Sequence, residues 1–241
     1  MEFLLQPDFW AAVVKIIMID ILLGGDNAVV IALACRRLPP KQRRLGILWG
    51  TAGAIALRVV LILFALTLLT VPLLKLAGAA LLLWIGIKLL LPEEEDNHGK
   101  IESSDRLWAA VKTVIVADLV MSLDNVIAIA GAAEGAGEEH KMVLVIFGLL
   151  VSIPIIVWGS QLVVRLMDRF PIIIVLGGML LGWIAGEMAI TDPFVVFLAD
   201  HFALVITSKV HYYGAAVVGA VLVLIIGRTL SARQMKPSVS S

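Results

Sequence analysis

The chain has little cysteine, little charge and no net charge, and each shortage excludes something. One cysteine, Cys35, in 241 residues rules out an internal disulfide and any cysteine-based zinc site. Charged residues make up only 16%, where soluble domains carry about 25%. The 19 Lys and Arg balance the 19 Asp and Glu, so no overall pull toward nucleic acid or an acidic partner is implied. No nucleotide-binding motif is present. The four histidines, His98, His140, His201 and His211, are scattered in or near predicted loops, and no catalytic role is assigned to them. The N-terminal run Met-Glu-Phe-Leu-Leu-Gln-Pro-Asp lacks the basic region of a cleaved signal peptide, so the first apolar run reads as a retained span.

What remains is apolar. Hydrophobic residues reach 61% and the mean hydropathy is +1.02, too little polar surface for a chain bathed in water on all sides. The composition predicts an all-α membrane protein. Apolar runs predict seven spans, at about 9–34, 45–69, 71–91, 108–132, 142–164, 171–190 and 211–228, each near the roughly 20 residues that cross a bilayer. The tract 194–206 is shorter and interrupted by Asp200 and His201, and reads as an interfacial or re-entrant piece. Orientation follows from basic residues in the connections. Arg36, Arg37, Lys41, Arg43, Arg44, Lys100, Arg106, Arg165, Arg169, Arg228, Arg233 and Lys236 fall on one side of the predicted topology, against Lys141 and Lys209 on the other. The N-terminus is therefore expected outside and the C-terminus in the cytoplasm of a multi-pass inner (plasma) membrane protein. Glu93, Glu94, Glu95, Asp96 and His98 cluster in one cytoplasmic loop, which reads as a solvated linker or, more sharply, as a capture site for cations.

Laying residue n against n+98 reveals a repeat. Trp10 to Val13 and Trp108 to Val111 both read W-A-A-V, Asp20 meets Asp118, Asp26 meets Asp124, and Asn27 meets Asn125. Eleven of the 25 positions from Trp10 to Ala34 are identical, and the polar coincidences in register are hard to obtain by chance. Gly50 meets Gly148 in the second spans. In the third spans, at an offset of 99, Pro72 meets Pro171, Gly78 meets Gly177 and Trp84 meets Trp183. Three spans per repeat make the second copy enter the membrane from the opposite side, the inverted arrangement of many secondary transporters. The expected organisation is a first three-helix repeat over 1–92, an acidic cytoplasmic linker over 93–105, a second inverted repeat over 106–191, and 192–241 holding the interfacial segment, a seventh helix and the tail.

Four aspartates, Asp20, Asp26, Asp118 and Asp124, lie inside apolar spans. Left in lipid they would cost together about 10–14 kcal/mol, so something must face or neutralise them. Seven residues bring a helix round to within about 20° of its starting direction, so Asp20 shares a face with Asn27, and Asp118 with Asn125. Asp26 and Asp124 lie off that face. A helix break at Gly24-Gly25 is expected to swing Asp26 into the same cavity, with Ser122-Leu123 a weaker equivalent in the second repeat. The candidate metal ligands are thus Asp20, Asp26, Asn27, Asp118, Asp124 and Asn125. These are all oxygen donors, suited to hard ions such as magnesium, manganese and calcium. Oxygen chemistry alone does not choose among them. No other cofactor is expected. Arg58, halfway along the second span, has Ile156 as its repeat counterpart. It reads either as a structural charge partner for these carboxylates or as a surrogate cation that occupies the acidic site once the metal has left. Lys88 and Glu187, equivalent positions in the third spans, read as snorkelling interfacial residues.

At the motifs G-G-D-N-A-V-V and S-L-D-N-V-I-A-I-A, the Arg58 span and the stretch from Gly177 to Ala185, the chain resembles the TerC family of integral membrane proteins, within the superfamily that includes lysine exporters. The resemblance implies metal export, with manganese as the ion. The family's historical link to tellurite fits poorly, since tellurite is an anion and the predicted cavity is acidic. The function expected is secondary export of a divalent cation by alternating access, coupled to protons, with the bilayer and the ion as partners, in a protein free to form a homo-oligomer and not an enzyme. Two other readings stand beside it. One is a membrane factor that delivers metal to secreted proteins through a partner. The other is an intramembrane aspartyl protease, although Gly24-Gly25-Asp26 lacks the residue between the glycines of the usual protease motif.

Overall fold

A computed structural model describes residues 7–92, 103–133, 138–202 and 209–234. Every regular element among them is helical: α1 Pro7–Cys35, α2 Pro40–Leu69, α3 Leu74–Leu90, α4 Ser103–Ala133, α5 Glu138–Arg169, α6 Ile172–Ile190, α7 Pro193–His201 and α8 Lys209–Gln234. Apolar sequence with few interruptions folds this way because a helix satisfies its own backbone hydrogen bonds without water. Pro40 and Pro193 open their helices at the positions where a missing N–H is harmless, and α5 runs on through Pro154. Among the described residues, Pro40–Phe64, Val145–Arg169, Ile172–Ile190 and Lys209–Gln234 are each long and apolar enough to cross a membrane. Their outward side chains agree. Trp49 at 61%, Leu63 at 61% and Trp158 at 69% exposure are tolerable only where the surroundings are lipid rather than water. The acidic tract 93–102 and residues 203–206 of the predicted interfacial piece lie outside the described residues.

The expected break at Gly24-Gly25 is not found. Helix α1 continues through both glycines, and α4 continues through Ser122-Leu123. Glycine disfavours a helix by only about 1 kcal/mol, less than the loss of backbone hydrogen bonds that a break within an apolar span entails.

The chain forms two compact units that cut across the order of the sequence. The first holds residues up to Thr70 and Leu107–Arg165, so it is built from α1, α2 and most of α4 and α5. Its core gathers Val13, Ile16, Ile47, Val114, Leu149 and Ile156. Glycines let these helices approach. A methyl group on Gly50 would sit 3.0 Å from Val114 Cγ1, and one on Gly148 would sit 2.6 Å from Ile16 Cγ2. Between α1 and α2, the Arg43 guanidinium donates to the carbonyl oxygens of Arg36 (2.6 Å) and Leu38 (3.3 Å). It thereby satisfies backbone acceptors that the end of α1 leaves open.

The second unit holds α3, α6, α7, α8 and the last turn of α5. Here α6 and α8 meet through small residues: a side chain on Gly182 would collide with the Gly219 carbonyl, and one on Gly219 with the Gly182 carbonyl. Such backbone-to-backbone approach is how apolar helices associate when lipid is as apolar as they are. At one end of this unit sits the buried Asp192. Its carboxylate accepts from the N–H of Phe194 (2.8 Å), capping α7, and from those of Leu73 (3.0 Å) and Leu76 (3.1 Å) at the start of α3. Leu73 itself has a φ of 67°, a strained left-handed conformation for a branched residue that turns its N–H onto the carboxylate. Burial pushes the Asp192 carboxyl up, but the N–H groups of Leu73, Phe194, Leu76 and Lys75 outweigh it and hold the group below its ordinary value. Phe197 on α7 and Phe202 just after it are exposed.

Two outcomes are expected. Gly219→Leu should lower the stability of the purified protein by about 1–3 kcal/mol or more through overpacking, read as a lower unfolding temperature in detergent. Asp192→Ala should cost about 1–3 kcal/mol through loss of a cap and of buried acceptors. Because the folded Asp192 is depressed, its contribution is complete above the ordinary value of 3.8 and is lost as pH falls below it. Wild-type unfolding temperature should therefore drop in that acidic window, and the Asp192→Ala protein should show a shallower drop.

Candidate functional site: a buried charge cluster

Among the described residues, the first unit buries charged side chains on α2 and α4, with a partly buried one on α1. Arg58 on α2 is 1% exposed, Asp118 on α4 6%, and Ser122 on α4 0%. Arg58 Nη2 donates to Asp118 Oδ1 at 2.5 Å, Arg58 Nε donates to Ser122 Oγ at 2.9 Å, and Ser122 Oγ donates to Asp118 Oδ2 at 3.0 Å. The three groups close a ring in which both carboxylate oxygens are engaged. Its geometry has a simple origin in the helix: Asp118 and Ser122 are four residues apart on one face of α4. Glycines set the approach of α2 to α4, Gly50 lying against Val114 and Gly53 against Ile115.

Asp26 on α1 is partly buried and interacts electrostatically with both Asp118 and Arg58. Its Oδ1 accepts from the backbone N–H of Asn27 at 2.8 Å. The neighbouring Asn27 side chain is 3% exposed, yet among the described residues neither its Oδ1 nor its Nδ2 has a hydrogen-bond partner. Thr51, two turns before Arg58 on α2, is 1% exposed with an unpartnered hydroxyl. Ser152 and Ser160 show the ordinary remedy, each donating to the carbonyl one turn back at 3.1 and 2.8 Å. An amide left without partners in a low-dielectric interior costs on the order of 1–3 kcal/mol per group, which makes Asn27 a place where a ligand would be welcome.

Of the residues singled out in the sequence, the structure thus brings together Arg58, Asp118 and Asp26, with Asn27 beside Asp26. Asn125 is a partly buried residue of α4. Asp20 and Asp124 belong to α1 and α4, but their side chains lie outside the described residues. Among the described residues, no three His, Cys, Asp or Glu side chains gather to hold a metal. One participant was missed in the sequence, Ser122. The signal for it was helical spacing, four residues after Asp118. In the second unit, the equivalent pairs Trp84–Lys88 and Trp183–Glu187 are each closed within one helix. The Lys88 ammonium lies 4.9 Å from the Trp84 ring centroid, and Trp183 Nε1 donates to Glu187 Oε1 at 2.7 Å.

Comparison with known proteins places this cluster in context. The Integral membrane protein TerC family matches residues 5–235. The chain is 44% identical over 198 residues to the uncharacterized membrane protein YjbE of Bacillus subtilis, covering 82% of this chain and 88% of that protein. It is 27% identical over 225 residues to the uncharacterized membrane protein YceF of the same organism, covering 88% of this chain and 85% of that one. It is also 27% identical over 194 residues to the UPF0053 inner membrane protein YoaE of Escherichia coli, covering 73% of this chain but only 36% of that longer protein. No solved structure matches.

Removing one member of the ring should expose its energetics. Asp118→Asn removes the carboxylate paired with Arg58, a loss of about 3–5 kcal/mol, whereas Ser122→Ala removes hydrogen bonds but keeps the ion pair and should cost about 1–3 kcal/mol. Denaturation of the detergent-purified proteins reads both values and their order.

Proposed function

The chain belongs to the TerC family of integral membrane proteins, and from that membership together with its buried charges we propose that it is a secondary transporter that exports a hard divalent cation, with manganese the ion its family resemblance implies. The observation that carries this reading is the first unit's juxtaposition of Asp26, Asp118 and the unpartnered, buried Asn27 amide. These are oxygen donors where lipid-facing helices ordinarily hold none. Intramembrane carboxylates of this kind mark ion pathways, and an all-oxygen donor set suits hard cations. The other ligands in this reading are Asp20, Asp124 and Asn125.

The reading includes seven spans, formed by α1 to α6 and α8, and two inverted three-helix repeats. Two packing contacts support the repeat. Gly50 lies against Val114, and Gly148 lies against Ile16; the 98-residue offset that carries Gly50 onto Gly148 also carries Ile16 onto Val114. The first unit draws α1 and α2 from one repeat and α4 and α5 from the other, so it joins aspartates of both halves, as transporter sites at repeat interfaces do. The N-terminus outside and the C-terminus in the cytoplasm follow from the basic residues. The tie of Asp192 to the start of α3 is consistent with that topology, because the α2–α3 and α6–α7 connections then lie on the same, outer side.

Moving a divalent cation outward against a negative interior requires about 4.6 kcal/mol per 100 mV. Protons entering from outside supply the coupling in this reading. Asp26 and Asp124 hold the ion when ionised and release it when protonated, because metal and proton compete for the same oxygens. Purified protein in proteoliposomes tests the proposal. Manganese flux with opposed proton movement is expected, reduced by about 10- to 100-fold or more in Asp26→Asn. Unchanged flux in Asp26→Asn would remove the site, and flux without proton movement would remove the coupling. Binding measured with manganese, magnesium, calcium and zinc would identify the ion.

A further inference from the structure

Asp118 and Asp26 stand in opposite conditions within one cluster. Both oxygens of Asp118 are engaged by Arg58 and Ser122, so a cation that took Asp118 as a ligand would compete with the guanidinium for its charge. The hydrogen bonds to Asp26 come from the backbone N–H groups of Asn27 and of Asp26 itself, and the Asn27 amide beside it has no hydrogen-bond partner among the described residues. Arg58 is also one-sided. The offset of 98 carries Arg58 onto Ile156, a buried core residue, so the arginine is confined to one half. A fixed positive charge in one half alone suits a site that must be filled when the mobile cation is absent.

We propose that Arg58 is a tethered counter-cation that competes with the transported ion for Asp118. This rests on the reading of the cluster as a cation site and adds the regulation of that site. In the unloaded protein Arg58 occupies Asp118, with Ser122 holding both ends of the contact. Arginine suits the task because it stays charged at every physiological pH and its fork grips a carboxylate and a neighbour together. An arriving divalent cation, bound first at Asp26 and Asn27, draws Asp118 away from the guanidinium. After release, Arg58 returns to Asp118, so the unloaded protein reverses its conformation without a bare carboxylate in the low-dielectric interior. Net efflux needs that unloaded return. Exchange of one cation for another does not, since the site is loaded in both directions.

The test uses full-length protein with manganese as the probe. Arg58→Met removes the competitor and frees a carboxylate, so manganese should bind at least about tenfold more tightly and raise the unfolding temperature by more than it does in wild type. In proteoliposomes, net efflux by this variant should fall at least about tenfold further than manganese–manganese exchange. Where Arg58→Met does not fold, Arg58→Lys decides the matter. It keeps the charge but loses the two-point grip, so manganese should bind more tightly than in wild type. Manganese binding no tighter in the folded variants than in wild type, or equal loss of exchange and net efflux, would overturn the proposal while leaving the cation site standing. A wild-type protein that binds no divalent cation would remove the site and the proposal together.

Discussion

A carboxylate inside an apolar helix has three ways to exist: with a proton, with a fixed cation, or with a mobile one. The first unit depends on how that constraint is met at Asp118, where Arg58 and Ser122 engage both oxygens. The ring holds α2 and α4 in register at a depth where neither charge would survive alone. A buried ion pair is weak evidence for stability in itself, because an apolar replacement of similar volume is often as stable. Beside it stand Asp26 and the Asn27 amide, the latter with no hydrogen-bond partner among the described residues.

The two compact units handle polarity differently. In the second, Asp192 is buried but saturated by backbone N–H groups, and small residues bring α6 and α8 into contact along their backbones. Among the described residues of that unit, no buried side-chain polar atom lacks a hydrogen-bond partner. In the first, glycines at Gly50 and Gly148 also allow close approach, but the interior keeps the unpartnered amide of Asn27 and hydroxyl of Thr51. Unsatisfied polar groups in an otherwise dry interior are costly, and a structure that retains them beside carboxylates is organised for something other than maximal stability.

Much of this was legible in the chain before any coordinates. The apolar runs predicted at 45–69, 171–190 and 211–228 correspond to α2, α6 and α8, because hydropathy over about 20 residues reports directly on burial in lipid or core. Arg58 stood out as the main basic residue available to the intramembrane aspartates, and it pairs with one of them. The choice of Asp118 was not legible, since it depends on which faces of α2 and α4 meet. The helix break expected at Gly24-Gly25 was an over-reading of glycine: tertiary packing and the apolar surroundings keep α1 continuous. Asp192 drew no attention in the sequence because a single aspartate between two apolar runs looks like an ordinary loop residue. Its role appears only when α3, 116 to 119 residues earlier, is brought against it.

The sequence by itself determined that this is a membrane chain and which carboxylates fall within its apolar runs. Both are properties of residue order, read from hydropathy. Only the tertiary structure decided which carboxylate carries the arginine, which amide is left without partners, and that the helices group as α1, α2, α4 and α5 apart from α3, α6, α7 and α8. The physical reason is range. Periodicity and composition act over one or two helical turns, whereas the pairing of Arg58 with Asp118 joins positions 60 residues apart, and such a contact is selected by how helix surfaces pack.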